Sequence, residues 1–247
     1  MCLSAALVLI LRTCLLSSLD FTPLFSSLGV NDGLVSTFLL VAGVAGAGLT
    51  MTDILLTAIA GAIAGAVSMS AGEYIATKSQ NEVITGEILI ERSHILKYKK
   101  QEIDEVPALL EVIGIVPEET QHLREQIIAY YESRPDALLK LMVALEFGVT
   151  QTGERSPVAA AFFSGMLFIV GSLPSVLPFL ARKNSSSFIS LVVAAVATCI
   201  ALLLVGTIKT WATRGNWLTA AIENLAVAGI GGAFAYGVGV LFDAMLN

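Results

Sequence analysis

Gly61–Glu82, GAIAGAVSMSAGEYIATKSQNE, opens like a membrane helix and closes like a soluble one. Its first half is small and apolar, with Gly61 and Gly65 spaced so that two helices can approach closely in lipid. Its second half ends in Lys78, Gln80, Asn81 and Glu82. Between the two, Met69 and Glu73 stand at i and i+4, so they project from one helical face near the hydrocarbon boundary. A carboxylate supplies charge and hard oxygen, while a thioether supplies a weak, soft donor. The pair suits a borderline divalent transition metal better than Mg2+ or Ca2+, which prefer all-oxygen shells. The spacing leaves a plainer alternative open, in which Met69 packs as core and Glu73 snorkels to the interface.

The rest of the chain extends the same pattern. Of its 247 residues, 55% are hydrophobic and 14% charged, and the mean hydropathy is +0.80. A soluble domain is about 45–50% apolar and about 25% charged. The apolar residues fall in long blocks separated by one charged block. Crossing a bilayer takes about 20 mostly apolar residues, and five segments meet that need. The first runs from about Leu24 to Thr50, and the second, Ile54–Thr77, follows a tight turn at Thr50–Asp53. Pro157–Leu180 is the third, with a kink or irregular end expected at Pro174 and Pro178. Phe188–Ile208 and Trp217–Leu246 complete the set. The expected fold class is an all-α polytopic membrane protein. It has five transmembrane helices and a helical insert between the second and third. The expected divisions are 1–20, 21–77 (two spans), 78–155 (insert) and 156–247 (three spans). Residues 1–20 are apolar but short, with Arg12 in their middle. No clear small-residue cleavage site follows them, which favours an interfacial helix or a misplaced gene start over a signal peptide.

Threading five spans puts the 78–155 and 209–216 loops on one face with eleven Lys and Arg, against Arg182 and Lys183 on the other. The positive-inside rule makes the insert cytosolic. A net charge of -6 without a basic stripe argues against nucleic-acid binding. Cys2, Cys14 and Cys199 have neither metal-ligand nor redox spacing. With no nucleophile–base pattern, phosphate loop or haem motif, an enzyme is not expected.

Ionisable groups inside spans are costly and mark function by default. Asp32, Glu73 and Glu223 qualify, with Asn31, Asn224, Ser68 and Ser70 nearby in sequence. The insert carries fourteen of the twenty acids and both histidines. Along it Glu87, Glu91, His94, Tyr98, Glu102 and Glu105 step by 4, 3, 4, 4 and 3, a stripe on one helical face. Glu91 to Glu102 and His94 to Glu105 are each eleven residues apart, about three turns, so the two pairs face alike. A break is expected at Pro107. A second helix then begins near Pro117, and a third places Met142 and Glu146 at i and i+4. A solvated face is the alternative reading of such a stripe.

Three stretches, NDGLVSTFLLVAGVAGAG, AVSMSAGEYIATKSQNE and LLKLMVALEFGVTQTGERSP, resemble the vacuolar iron transporters in order and spacing. The likeness covers about Gly29 to the C-terminus, including VGTIKTWATRGNWLTAAIENLAVAGIGGAFAYGVG. The resemblance implies a five-span homodimer that exports Fe2+, often with Mn2+, from the cytosol by proton antiport into an acidic compartment. It implies that Asp32 and Met69 line the pathway, and that Glu91, Glu102, Glu105, Met142 and Glu146 collect metal. His94 stands where the family has a glutamate, and it remains a competent but proton-sensitive ligand. Relatives carry an Arg-Asp pair where Leu24 and Phe25 stand here, which bears on transport competence rather than fold.

The expected function is therefore a proton-coupled transporter of Fe2+ and Mn2+ into a vacuole-like acidic compartment. Asp32 and Met69 would face each other at a dimer axis or between the first two spans. Glu73 would exchange proton for metal, with Glu223 in reserve. The expected partners are divalent metal ions, protons, the bilayer and a second copy, with no prosthetic group. A Mn2+-selective exporter of the secretory pathway and a membrane-anchored metal buffer are the alternatives.

Overall fold

A computed structural model of the chain describes residues 23–146, 155–181, 186–213 and 216–246. Side-chain detail covers 29–116, 121–145, 155–181, 186–207 and most of 216–246. Residues 1–20 and the side chains of Leu24 and Phe25 lie outside this set. The described residues form seven helices and no strand. In chain order they are α1 (Pro23–Gly46), α2 (Met51–Val112), α3 (Pro117–Glu132), α4 (Pro135–Glu146), α5 (Pro157–Ala181), α6 (Ser187–Thr213) and α7 (Trp217–Leu246). Five of them, α1, α2, α5, α6 and α7, are long and apolar enough to cross a membrane. The chain divides into two compact units, Met1–Tyr74 with Pro157–Asn247, and Ile75–Ser156.

In the first unit α1 is the packing centre, touching α5, α6 and α7. Contact is made largely by glycine. Gly33 stacks on the Phe168 carbonyl of α5, and Gly171 of α5 stacks on the Val30 carbonyl of α1. Gly46 meets the Tyr236 carbonyl of α7, and Gly239 of α7 meets the Gly43 carbonyl. A Cβ at any of these positions would overlap backbone. Lipid supplies no hydrophobic force between helices, so close backbone approach is what holds such helices together. Between the α5 and α6 side chains a buried Ser175–Thr198 hydrogen bond of 3.1 Å joins the helices. α5 continues as a helix through Pro174 and Pro178 to Ala181.

Gly48, at φ +69°, makes the turn after α1. Thr50 caps α2: its hydroxyl donates to Asp53 Oδ2 at 2.6 Å and accepts from the Asp53 N–H at 3.3 Å.

The second unit has a side-chain core. Ile95, Ile103, Val106 and Leu110 of α2 pack with Leu138, Leu139, Met142 and Val143 of α4. Arg124 of α3 donates to the Pro107 carbonyl at 3.0 Å and pairs with Glu111 at 3.1 Å. The expected break at Pro107 is absent. α2 runs through it to Val112 and ends at Gly114, φ +89°, where the Ile115 N–H bonds the Leu110 carbonyl at 2.9 Å. Burial of Ile103, Val106 and Leu110 around the proline outweighs its helix-breaking tendency. The irregular residue of α2 is instead Tyr98, at φ -127° and ψ 32°.

Candidate metal pathway and collecting site

In the membrane unit, α1, α2 and α5 converge around Gly29. A methyl group added to Gly29 would lie 3.9 Å from Met69 Cε and 3.3 Å from the Ser164 carbonyl oxygen. The Met69 thioether is therefore brought to α1 three residues, about one turn, from Asp32. On α2, Gly65 accommodates the Phe168 ring, and the Ser70 hydroxyl lies over Gly165 of α5. The absence of side chains at Gly29, Gly33, Gly65 and Gly165 is what lets these helices come so close. Met69 and Glu73 are both half-buried, one turn apart.

Asp32 itself is exposed on this single chain. Ser36, at i+4, is exposed as well, whereas Leu40, at i+8, lays its side chain over Gly61 of α2. The Ser36 hydroxyl bonds the Asp32 carbonyl at 2.5 Å, folding its own polarity back onto the helix. Glu223 of α7 is exposed as well.

In the insert, the stripe separates by burial along the eleven-residue spacing. Glu91 and Glu102 are 5% and 7% exposed, and Met142 is fully buried. His94 and Glu105 are exposed. Glutamates are rarely so buried unless paired. These two lie at the edge of a hydrophobic core, Glu91 one turn before Ile95 and Glu102 one turn before Val106. His94 Nδ1 approaches Glu102 Oε1 to 3.8 Å, and its ring meets Tyr98 edge-on at 6.4 Å. Tyr98, the irregular residue, sits between the Glu91–His94 and Glu102–Glu105 pairs. Glu146 closes α4, with its side chain outside the described set. Among the described residues, no three of His, Cys, Asp and Glu come together as a ready-made cage.

A model of the VIT family matches residues 27–240. The chain belongs to the VIT family. Among its relatives, vacuolar iron transporter 1 of Eucalyptus grandis is 29% identical over 215 residues, 85% of this chain and 82% of that protein. Vacuolar iron transporter 1 of Arabidopsis thaliana is 29% identical over 209 residues, covering 85% and 81%. The vacuolar iron transporter of Toxoplasma gondii is 24% identical over 227 residues, covering 89% and 74%.

Within this VIT-family chain, sequence reasoning missed two features. Gly29 and Gly33 form a second close-contact pair beside Gly61 and Gly65, and their four-residue spacing was the available signal. Arg124 clamps the end of α2, which nothing in its sequence surroundings indicates. Asn31, which the sequence did single out, has its Oδ1 buried without a hydrogen-bond partner among the described residues.

Proposed function

We propose that the protein moves Fe2+, and Mn2+ with it, from the cytosol into a vacuole-like acidic compartment in exchange for protons. The observation that carries this reading is the Met69 thioether set against α1 within a turn of Asp32, inside membrane-spanning helices. A metal buffer has no use for an acid and a thioether inside the spans, whereas a transporter needs both. The names of the relatives support iron as cargo. Thioether, carboxylate and imidazole suit Fe2+ and Mn2+ together.

In this reading the insert faces the cytosol and collects metal through Glu91, His94, Glu102, Glu105, Met142 and Glu146. Glu91 and Glu102 lie on the buried side of α2, the side that carries the core containing Met142, which supports carboxylate and thioether donors as the collecting chemistry. Metal then passes Glu73 and Met69 to reach Asp32.

The working unit is a homodimer. A carboxylate facing hydrocarbon is costly, and the exposed Asp32 and Ser36 are covered when a second copy presents the same face about a two-fold axis.

Uptake of radioactive Fe2+ and Mn2+ into sealed vesicles, with and without an imposed pH gradient, tests the function. Asp32→Asn is expected to abolish uptake while the protein still folds. Wild-type uptake by that variant would remove Asp32 from the path, and uptake of neither metal by the wild type would leave the buffer.

A further inference from the structure

Three membrane-spanning helices meet in two layers, one turn apart on each of them. The first layer is Gly29 of α1, Ser164 of α5 and Met69 of α2, with the Ser164 carbonyl and the thioether methyl both near the glycine. Four residues along each helix, Gly33, Phe168 and Gly65 form the second. Four residues are about 6 Å of helix, so the layers stack directly. The second layer lies toward the start of α2, away from the residues that enter the insert.

The two layers are filled differently. In the first, α2 supplies the side chain, and it carries a sulfur donor. In the second, α1 and α2 supply none, and Phe168 takes the space. Its backbone carbonyl stacks on Gly33 and its ring tip rests on Gly65. Only 5% of Phe168 is exposed. One turn further along α2 the contact with α1 is again apolar, because Leu40 lies over Gly61. Beside Met69 the α2–α5 contact is closed where Ser70 lies over Gly165, with the Ala66 carbonyl 3.0 Å from a Cβ position there. Asp32 stands apart from this crevice: it is exposed, whereas Gly33 next to it is buried.

A phenyl ring offers an ion no lone pair, and an ion stripped of partners is costly to bury. Apolar constrictions shut ion paths by excluding water. We propose that Phe168 is the seal under Met69. It closes the α1–α2–α5 crevice on the side away from the insert, so that metal leaves the thioether by way of Asp32 and does not bypass it. The proposal rests on the transport reading above. Phe168 acts on the route rather than on the ion, as a positioning residue that ligates nothing.

The test uses full-length protein in sealed vesicles, with Mn2+ as probe, a metal-quenched dye for entry and no imposed pH gradient. Rates are read per monodisperse protein, so a loss of packing alone does not raise them. Asp32→Asn by itself is expected to carry no Mn2+. Adding Phe168→Ala to it is expected to restore Mn2+ entry that follows the metal gradient alone, several-fold above Asp32→Asn. Phe168→Leu, an apolar plug of shorter reach, is expected to restore a smaller part, and it decides alone if Phe168→Ala does not yield monodisperse protein. Monodisperse double variants that stay as tight as Asp32→Asn overturn the seal and leave the transport reading standing. Absence of Mn2+ entry by the wild type, with or without a pH gradient, overturns the transport reading and the seal with it.

Discussion

The membrane unit and the insert solve the same packing problem with opposite materials. In the first, helices touch through glycine and backbone carbonyls, as at Gly33–Phe168 and Gly239–Gly43. In the second, branched aliphatic side chains of α2 and α4 make a closed core with Met142 inside. The reason is the solvent. Water drives large apolar side chains together at about 25 cal/mol per Å2 of buried area, but hydrocarbon offers no such drive, and close fit is what remains. The same Met/Glu spacing thus falls into two settings. Met69 is half-buried against a glycine of α1, whereas Met142 is wholly buried among leucines, isoleucines and valines.

That contrast can be broken most severely at Gly33. A Cβ there meets the carbonyl, carbonyl carbon and Cα of Phe168, all backbone, so no rotamer change relieves it. Gly33→Ala is expected to prevent the membrane unit from assembling, read as loss of a monodisperse peak on size-exclusion chromatography in detergent. A monodisperse, heat-stable Gly33→Ala protein would show that α1 and α5 can slide apart freely.

Next in size is Met142→Ala, which empties a fully buried site. Truncations of this kind cost about 2–5 kcal/mol, visible as a lower unfolding midpoint and a weaker metal response of the insert. Met69→Leu conserves volume and is expected to cost under about 1.5 kcal/mol while reducing metal uptake. If Met69→Leu instead unfolds the protein and transports normally per folded molecule, the thioether is core and not a ligand.

The smallest effect is expected at Gly86, and with opposite sign. Gly86 lies within α2 in the insert, and a Cβ there has open space. Gly86→Ala is expected to stabilise by about 0.5–1 kcal/mol through helix propensity alone. A rise in the midpoint at Gly86 beside a collapse at Gly33 is the sharpest form of the comparison, because the chemical change is identical.

Much of this was legible in the sequence. Long apolar blocks mark the five spans. Four of their helices begin and end within a few residues of the expected limits, whereas the helix expected over Ile54–Thr77 starts at Met51 and runs on to Val112, and Pro117 and Pro135 begin the insert helices. The eleven-residue spacing also carried real information: Glu91 and Glu102 share burial, and His94 and Glu105 share exposure. The irregular residue was not legible. Pro107 advertises a break by its missing N–H, but the packing of its neighbours overrides it, while Tyr98 advertises nothing. Nor could spacing say that Asp32 would face outward, because which side of α1 is covered depends on where α5, α6 and α7 dock.

The glycine contacts also have a mechanical meaning. Because α1 is held by glycine–backbone contacts against both α5 and α7, with only a thin side-chain layer such as Phe38 on Gly232 and Leu39 on Gly231 between α1 and α7, those three helices behave as one stiff plate. A transporter must open to one side and then the other, and a plate of this kind does not shear internally. α6 is tied to the same frame on three sides: it reaches α1 through Leu34 and Leu202, α5 through the Ser175–Thr198 hydroxyl pair, and α7 where Gly206 lies against the Ala221 backbone.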